Sequence, residues 1–309
     1  MKLSIVTTLY KSKDYIQEFY ERISAQAKQI TDDYEIIFVN DGSPDNSNEI
    51  AIQLSEVDTR ITVVDLAKNI GHHRAMMVGL TYAKAEYVYL TVVDLEEDPE
   101  NLVPFWQEMQ KNEDIDVVYG IEEIKKDQPF IREIFSKNFY NFFNYFSDTK
   151  ISSNSLVSRL MNRNYVDTLI SHPEKEIFIA ALWDHIGFNQ VGFYAKKTFK
   201  GDSSYTLNRK LRMAVDAITS FSSKPLVYIF YMGISMTALT FAVSLFLILK
   251  KVAMSDVMLG WTSIMLAIFF VGGIIVFSLG IIGIYLAMIF KEVKARPYQL
   301  VKKVYRRSP

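Results

Sequence analysis

The chain has 309 residues, with 34 Lys and Arg against 35 Asp and Glu. That length holds one large or two ordinary domains, and a formal net charge of −1 points to neither nucleic acid nor an acidic partner. Cysteine is absent, which excludes a disulfide framework, thiol chemistry and thiolate metal sites and fits a reducing compartment.

Leu3 to Leu9 (LSIVTTL) reads as a first strand. Its apolar run is too short for a signal peptide, and no small-residue cleavage site follows. Lys13 to Ile30 has helical spacing through Ile16, Phe19, Tyr20 and Ile23. Tyr34 to Val39 is a second buried strand that ends in Asn40-Asp41-Gly42-Ser43-Pro44-Asp45, with Asp45 as the expected helix cap. Ile61 to Asp65 is a third strand, followed by Lys68-Asn69-Ile70-Gly71-His72-His73 and a helix through Met76, Met77 and Leu80. Nothing near the two histidines supplies further metal ligands, which favours a polar or phosphate-facing role.

The fourth strand, Tyr87 to Val93, runs into Asp94, Glu96, Glu97 and Asp98, then Pro99 and Glu100 open a helix. Carboxylates this close repel unless something positive lies among them, and a divalent ion carrying a diphosphate meets that need. The plainer reading, an acidic helix start capped by Asp98, accounts for Asp98 and Glu100 but not for Asp94 and Glu96. Ile115 to Tyr119 is a fifth strand. Strands alternating with helices in this way predict an α/β fold with a mostly parallel, doubly wound sheet, which binds ligands at the carboxyl ends of its strands.

No residue is charged from Pro225 to Leu249 or from Val257 to Phe290. A helix needs roughly 20 apolar residues to cross a bilayer, so both segments are expected to span. Gly272, Gly273, Gly280 and Gly283 on the second suggest close helix contact, and with it a homo-oligomer. Arg209, Lys210, Arg212 and Lys224 precede the hairpin, and Lys291, Lys294, Arg296, Lys302, Lys303, Arg306 and Arg307 follow it, whereas the connecting loop has only Lys250 and Lys251. The positive-inside rule then predicts a multi-pass protein of the inner (cytoplasmic) membrane, with the loop outside and with the soluble two-thirds and both termini in the cytoplasm. Phe135, Phe139, Phe142, Phe143 and Phe146, and separately Leu207, Leu211, Val215 and Ile218, recur at helical spacing beside basic residues. They fit either core-facing helices or interfacial helices at a membrane surface.

The run VNDGSPDNS, then LAKNIGHHRAMMVGL, VDLEEDPENL and SFSSKPL before two apolar segments resembles the family 2 glycosyltransferases that charge polyprenyl phosphates. The resemblance covers nearly the whole chain. It implies a GT-A (Rossmann-like) fold, with helices on both faces of the sheet, and inverting transfer from a nucleotide sugar, a UDP-sugar ahead of a GDP-sugar, to undecaprenyl or another polyprenyl phosphate for envelope glycan assembly. It further implies a donor-nucleotide site of Thr8, Tyr10, Asp41, Lys68, Asn69 and Asp94. Mg²⁺ or Mn²⁺ would sit on Asp94 and Glu96, and the acceptor phosphate on Arg132, Ser136, Arg159 and Ser203, with Asp94 and Arg132 as the catalytic pair. Val92 stands where the family has the first aspartate of its DxD motif, Val157 replaces the aspartate before the FRL arginine, and Thr8 to Ser12 lacks the proline and glutamate of the PxYNE start.

The expected organisation is a catalytic domain over 1–205, an interfacial helix over 206–224, two membrane helices within 225–290 (about 226–249 and 258–290) and a basic tail over 291–309. Transfer to a lipid-linked saccharide, and a silent sugar-nucleotide-binding scaffold, are the alternatives.

Overall fold

A computed structural model describes residues 1–122, 155–172, 179–195, 224–253, 260–294 and 300–307. The two phenylalanine- and leucine-striped segments, with Arg132, Ser136 and Ser203, lie outside the described residues. The strands are β1 Leu3–Leu9, β2 Tyr34–Asn40, β3 Ile61–Leu66, β4 Tyr87–Leu90, β5 Val117–Glu122, β6 Ser155–Asn162, β7 Gln190–Ala195 and β8 Val301–Arg306. The helices are α1 Ile16–Ile30, α2 Ser47–Val57, α3 His72–Tyr82, α4 Leu102–Met109, α5 Arg163–Ser171, α6 Ile179–His185, α7 Lys224–Ala253 and α8 Trp261–Lys294. A 3₁₀ turn, Pro99–Asn101, precedes α4. The chain divides into two compact units, one holding the sheet and its helices, the other α7 and α8.

Among the described residues the strands form one sheet in the order β7-β5-β6-β4-β1-β2-β3-β8. β1 to β4 run parallel, and β6 enters antiparallel to both β4 and β5. β1, β2 and β3 are buried along their whole length because helices cover both faces. Alternate side chains enter opposite cores. Leu3, Ile5, Ile36, Phe38 and Tyr89 pack with Phe19 and Ile23 of α1 and Phe105 of α4. Val6, Ile37, Val39, Val64 and Leu90 pack with Met76 and Leu80 of α3 and with Tyr165 and Leu169 of α5. Helix α3 lies so close to the sheet that a Cβ on Gly79 would come within 2.5 Å of Val6 Cγ1.

The strands expected from sequence are present, with three differences. β4 stops at Leu90 rather than Val93. Leu90 pairs with Arg159 of β6, so Ser158 and Val157 would face Thr91 and Val92 if the ladder went on. The carboxylate of Glu97 instead accepts the N–H groups of Val157 (2.9 Å) and Ser158 (2.7 Å), and the chain turns away at Leu95, held at φ 60°. A side chain thus takes up backbone donors that a longer β4 would have faced, and the residues after it become a loop. Secondly, the expected caps shift. Asp98 makes no side-chain cap bond and its carboxylate meets Arg22, while α2 starts at Ser47, whose N–H and hydroxyl both reach Asp45. Thirdly, residues 301–306, expected as part of a basic tail, form β8, antiparallel to β3.

Helices α7 and α8 are 30 and 34 residues long, and both are long and apolar enough to cross a membrane. Both expose large apolar side chains, such as Phe230 on α7 and Val276 and Phe290 on α8.

Candidate active site

The registers Leu9↔Asn40 and Asn40↔Asp65 bring β1, β2 and β3 to an end at the same level. Three loops therefore leave the sheet side by side, where an open α/β sheet binds ligands. Asp41 joins two of them. Its N–H donates to the Leu9 carbonyl at 3.0 Å, and its carboxylate accepts the N–H groups of Ile70 (2.7 Å) and Gly71 (3.1 Å). Its own carbonyl accepts from Asn69 Nδ2 at 3.1 Å. Burial pushes the Asp41 pKa up, and the two backbone donors work against that rise. The next residue has to be glycine. Gly42 sits at φ 59°, and a Cβ there would come within 2.6 Å of the Asn69 nitrogen.

The β1–α1 loop is tied to the same frame. Lys11 N–H donates to Ser43 Oγ (2.7 Å), Ser12 N–H to Ser47 Oγ (2.9 Å) and Lys13 N–H to Asp45 (3.3 Å). Desolvation opposes ionisation of Asp45, but the Ser43 and Ser47 hydrogen bonds and the backbone donors outweigh it and hold its pKa near about 2. At the start of α3, His72 Nδ1 lies 2.8 Å from Thr8 Oγ1. Desolvation of the ring, then the neighbouring His73, lowers the His72 pKa to about 4.

Of the expected donor residues, Tyr10, Asp41, Lys68 and Asn69 fall on these neighbouring loops, and Thr8 sits near the end of β1. Thr8 and Asp41 are buried, and Tyr10, Lys68 and Asn69 are exposed.

The acidic stretch after β4 divides by partner. Glu97, 5% exposed, is the clamp on β6. Asp98 and Glu100 meet Arg22 of α1 at 3.3 and 2.5 Å. Asp94 and Glu96, on the turn just after β4, are the candidates for a divalent ion. Both are partly buried, with the Glu96 N–H on Asp94 Oδ1 at 3.0 Å, and the left-handed Leu95 between them sets the turn. Among the described residues no group of three or more potential protein ligands is poised for a metal. Two carboxylates suit an ion that arrives with a diphosphate and takes its other ligands from phosphate oxygens and water, which is how Mg²⁺ is commonly held.

Arg159, expected at the acceptor phosphate, is 1% exposed. Its guanidinium carbon lies 3.0 Å from the centroid of the Trp183 ring, and burial lowers its pKa to about 10. In this conformation it offers a phosphate no surface. It sits beneath the end of β4 as a buried positive charge. Sequence reasoning missed three connections: the Glu97 clamp, the Arg22 bridge and the Thr8–His72 contact. Each joins residues 60 or more positions apart, and no local pattern signals such a contact.

The description of glycosyl transferase family 2 matches residues 4–170. A Mycobacterium tuberculosis protein named as a glycosyltransferase is 40% identical over 305 residues, covering 99% of this chain and 89% of that one. The Bacillus subtilis glycosyltransferase YkcC is 31% identical over 307 residues, 99% of this chain and 94% of its own. The SfII prophage-derived bactoprenol glucosyl transferase of Shigella flexneri is 27% identical over 311 residues, the full length of both chains.

Proposed function

The chain belongs to glycosyl transferase family 2 and is a glycosyltransferase, and from that premise we propose that it moves a sugar from a nucleotide sugar to a polyprenyl phosphate at the inner membrane, with inversion. The observation that carries this reading is the shared position of the Asp41–Asn69 loops and the Asp94–Glu96 turn, at the carboxyl ends of four adjacent parallel strands. The full-length similarity to a bactoprenol glucosyl transferase supports the polyprenyl acceptor. The apolar side chains exposed on α7 and α8 support a bilayer around them, since surfaces of that kind are rarely left to water.

The reaction is a single displacement. An oxygen of the polyprenyl phosphate attacks the anomeric carbon, the bond from that carbon to the diphosphate oxygen breaks, and the diphosphate leaves with the electron pair. The attacking phosphate is already ionised at neutral pH, so no general base is required. The loops at Asp41 and Lys68–Asn69 would hold the nucleoside, and the charge that builds on the diphosphate is the main barrier. Asp94 with Glu96 would hold Mg²⁺ or Mn²⁺, which supplies Lewis-acid stabilisation of that charge. Arg132, Ser136 and Ser203 are the proposed acceptor-phosphate residues, where an arginine fork matches the phosphate oxygens.

The test is turnover of the full-length protein in detergent with undecaprenyl phosphate, Mg²⁺ or Mn²⁺ and a panel of UDP- and GDP-sugars, followed as lipid-linked sugar by mass spectrometry. One productive donor, with product lost on EDTA treatment, is expected. Asp94→Asn should reduce kcat by about 100-fold or more with the fold retained, the scale of losing one transition-state stabiliser. Near-normal turnover in Asp94→Asn would sink the metal assignment, and donor binding without any product would remove the polyprenyl-phosphate acceptor.

A further inference from the structure

Strand β8 meets β3 with one irregularity. Asp65 lies opposite Lys303 and Leu66 opposite Val301, so Lys302 is an extra residue with no place in the ladder. A bulge of this kind re-aims the inserted side chain. The Lys302 ammonium lies 3.5 Å from Oδ2 of Asp65, a carboxylate in a residue only 3% exposed. Among the described residues that oxygen accepts no hydrogen bond, so the ammonium is its compensation.

The other oxygen leads into the site. Asp65 Oδ1 accepts from Asn40 Nδ2 at 2.8 Å, and Asn40 Oδ1 accepts the Ser43 N–H at 3.1 Å. Asn40 and Ser43 bracket Asp41 and Gly42. On the neighbouring loop, the Ala67 N–H donates to the Leu300 carbonyl at 2.8 Å, one residue before Lys68. Both loops assigned to the nucleotide are thus reached from the strand that follows the apolar helices.

We propose that Lys302 is a positioning residue for the donor site. Its charge fixes Asp65, Asp65 fixes Asn40, and Asn40 fixes the turn that carries Asp41, while Leu300 holds the start of the 68–71 loop. The proposal rests on the donor site assigned above. A lysine that served only to discourage further strand pairing would have no reason to reach a buried carboxylate. Lys303, its neighbour, stays on the strand surface with its ammonium 4.5 Å from the Tyr305 ring centroid.

The experiment uses full-length Lys302→Met, Lys302→Arg and Lys303→Met in detergent, with two readouts. Binding of UDP and GDP is measured by calorimetry, and amide exchange is followed in peptides covering residues 40–43 and 67–71. With Lys302→Met we expect nucleotide affinity to fall about five-fold and exchange in both loops to rise by a similar factor, the scale of leaving one buried acceptor without compensation. Exchange in β1 and α1 should be unchanged. Lys302→Arg should restore both readouts, and Lys303→Met should alter neither. Where the wild type binds a nucleotide and Lys302→Met binds it equally well, the proposal is overturned. Loops that loosen without any change in affinity also overturn it, because the tie is then only structural. If the wild type binds neither nucleotide, the donor-site reading fails and this proposal falls with it.

Discussion

Glu96 and Glu97 are neighbours with opposite placements, and exchanging each for glutamine separates their roles. Glu97 is buried and accepts two backbone N–H groups of β6, at 2.9 and 2.7 Å. An amide of the same shape has one oxygen for one of those donors and turns an NH₂ group toward the other. Losing one charge-assisted bond and stranding a buried N–H costs about 2–3 kcal/mol. For a domain of this size that lowers Tm by about 5–10 °C. Glu97→Ala strands both donors and should cost roughly twice as much. Glu96 is only half-buried, so Glu96→Gln should leave Tm within about 1–2 °C of the wild type, as most partly exposed substitutions do. Turnover should fall in both variants, in Glu96→Gln through the metal and in Glu97→Gln through the displaced Asp94 turn. Thermal unfolding by circular dichroism, with turnover measured well below both transitions, makes the comparison. A Glu97→Gln protein that unfolds with the wild type, or a Glu96→Gln protein as unstable as Glu97→Gln, would refute this division of the acidic loop.

Other outcomes follow from the same contacts. Gly42→Ala places a Cβ 2.6 Å from the Asn69 nitrogen at φ 59° and should cost about 2–4 kcal/mol, read by denaturant unfolding, with weakened nucleotide binding. Arg22→Ala removes bridges to Asp98 and Glu100 from a side chain 30% exposed, so the loss should be only about 0.5–1 kcal/mol and shrink in high salt. Asp45 and Asp58 are both held at about 2, Asp45 mainly by Ser43 and Ser47 and Asp58 mainly by Arg60, against the opposing effect of burial. Carboxylates with lowered folded pKa values stabilise fully above their unfolded value of about 3.9 and lose that contribution as pH falls through the folded value. Tm should therefore decline between about pH 4 and pH 2, and Asp58→Asn should flatten part of that decline.

Much of the fold was legible because it is written in local periods. The buried runs of β1 to β3 are continuous because helices cover both faces, and the apolar stretches behind α7 and α8 exceed what a soluble core helix needs. The acidic loop, the Asp41 turn and the 68–71 loop could be placed at strand ends for the same reason. β6 and β8 could not be read this way. Strands that enter antiparallel depend on partners far away in sequence, and Lys302 and Lys303 read as tail charge until β3 is beside them.

The individual carboxylates divide along the same line. By itself the sequence determined that an acidic loop follows a buried strand, because composition and spacing are properties of neighbours. Only the tertiary structure decided that Glu97 belongs to β6, that Asp98 and Glu100 belong to Arg22, that Arg159 lies under Trp183 and that Asp65 answers to Lys302. Whether a charge binds a ligand or holds a loop is fixed by which donors surround it once it is desolvated, and those donors come from distant parts of the chain.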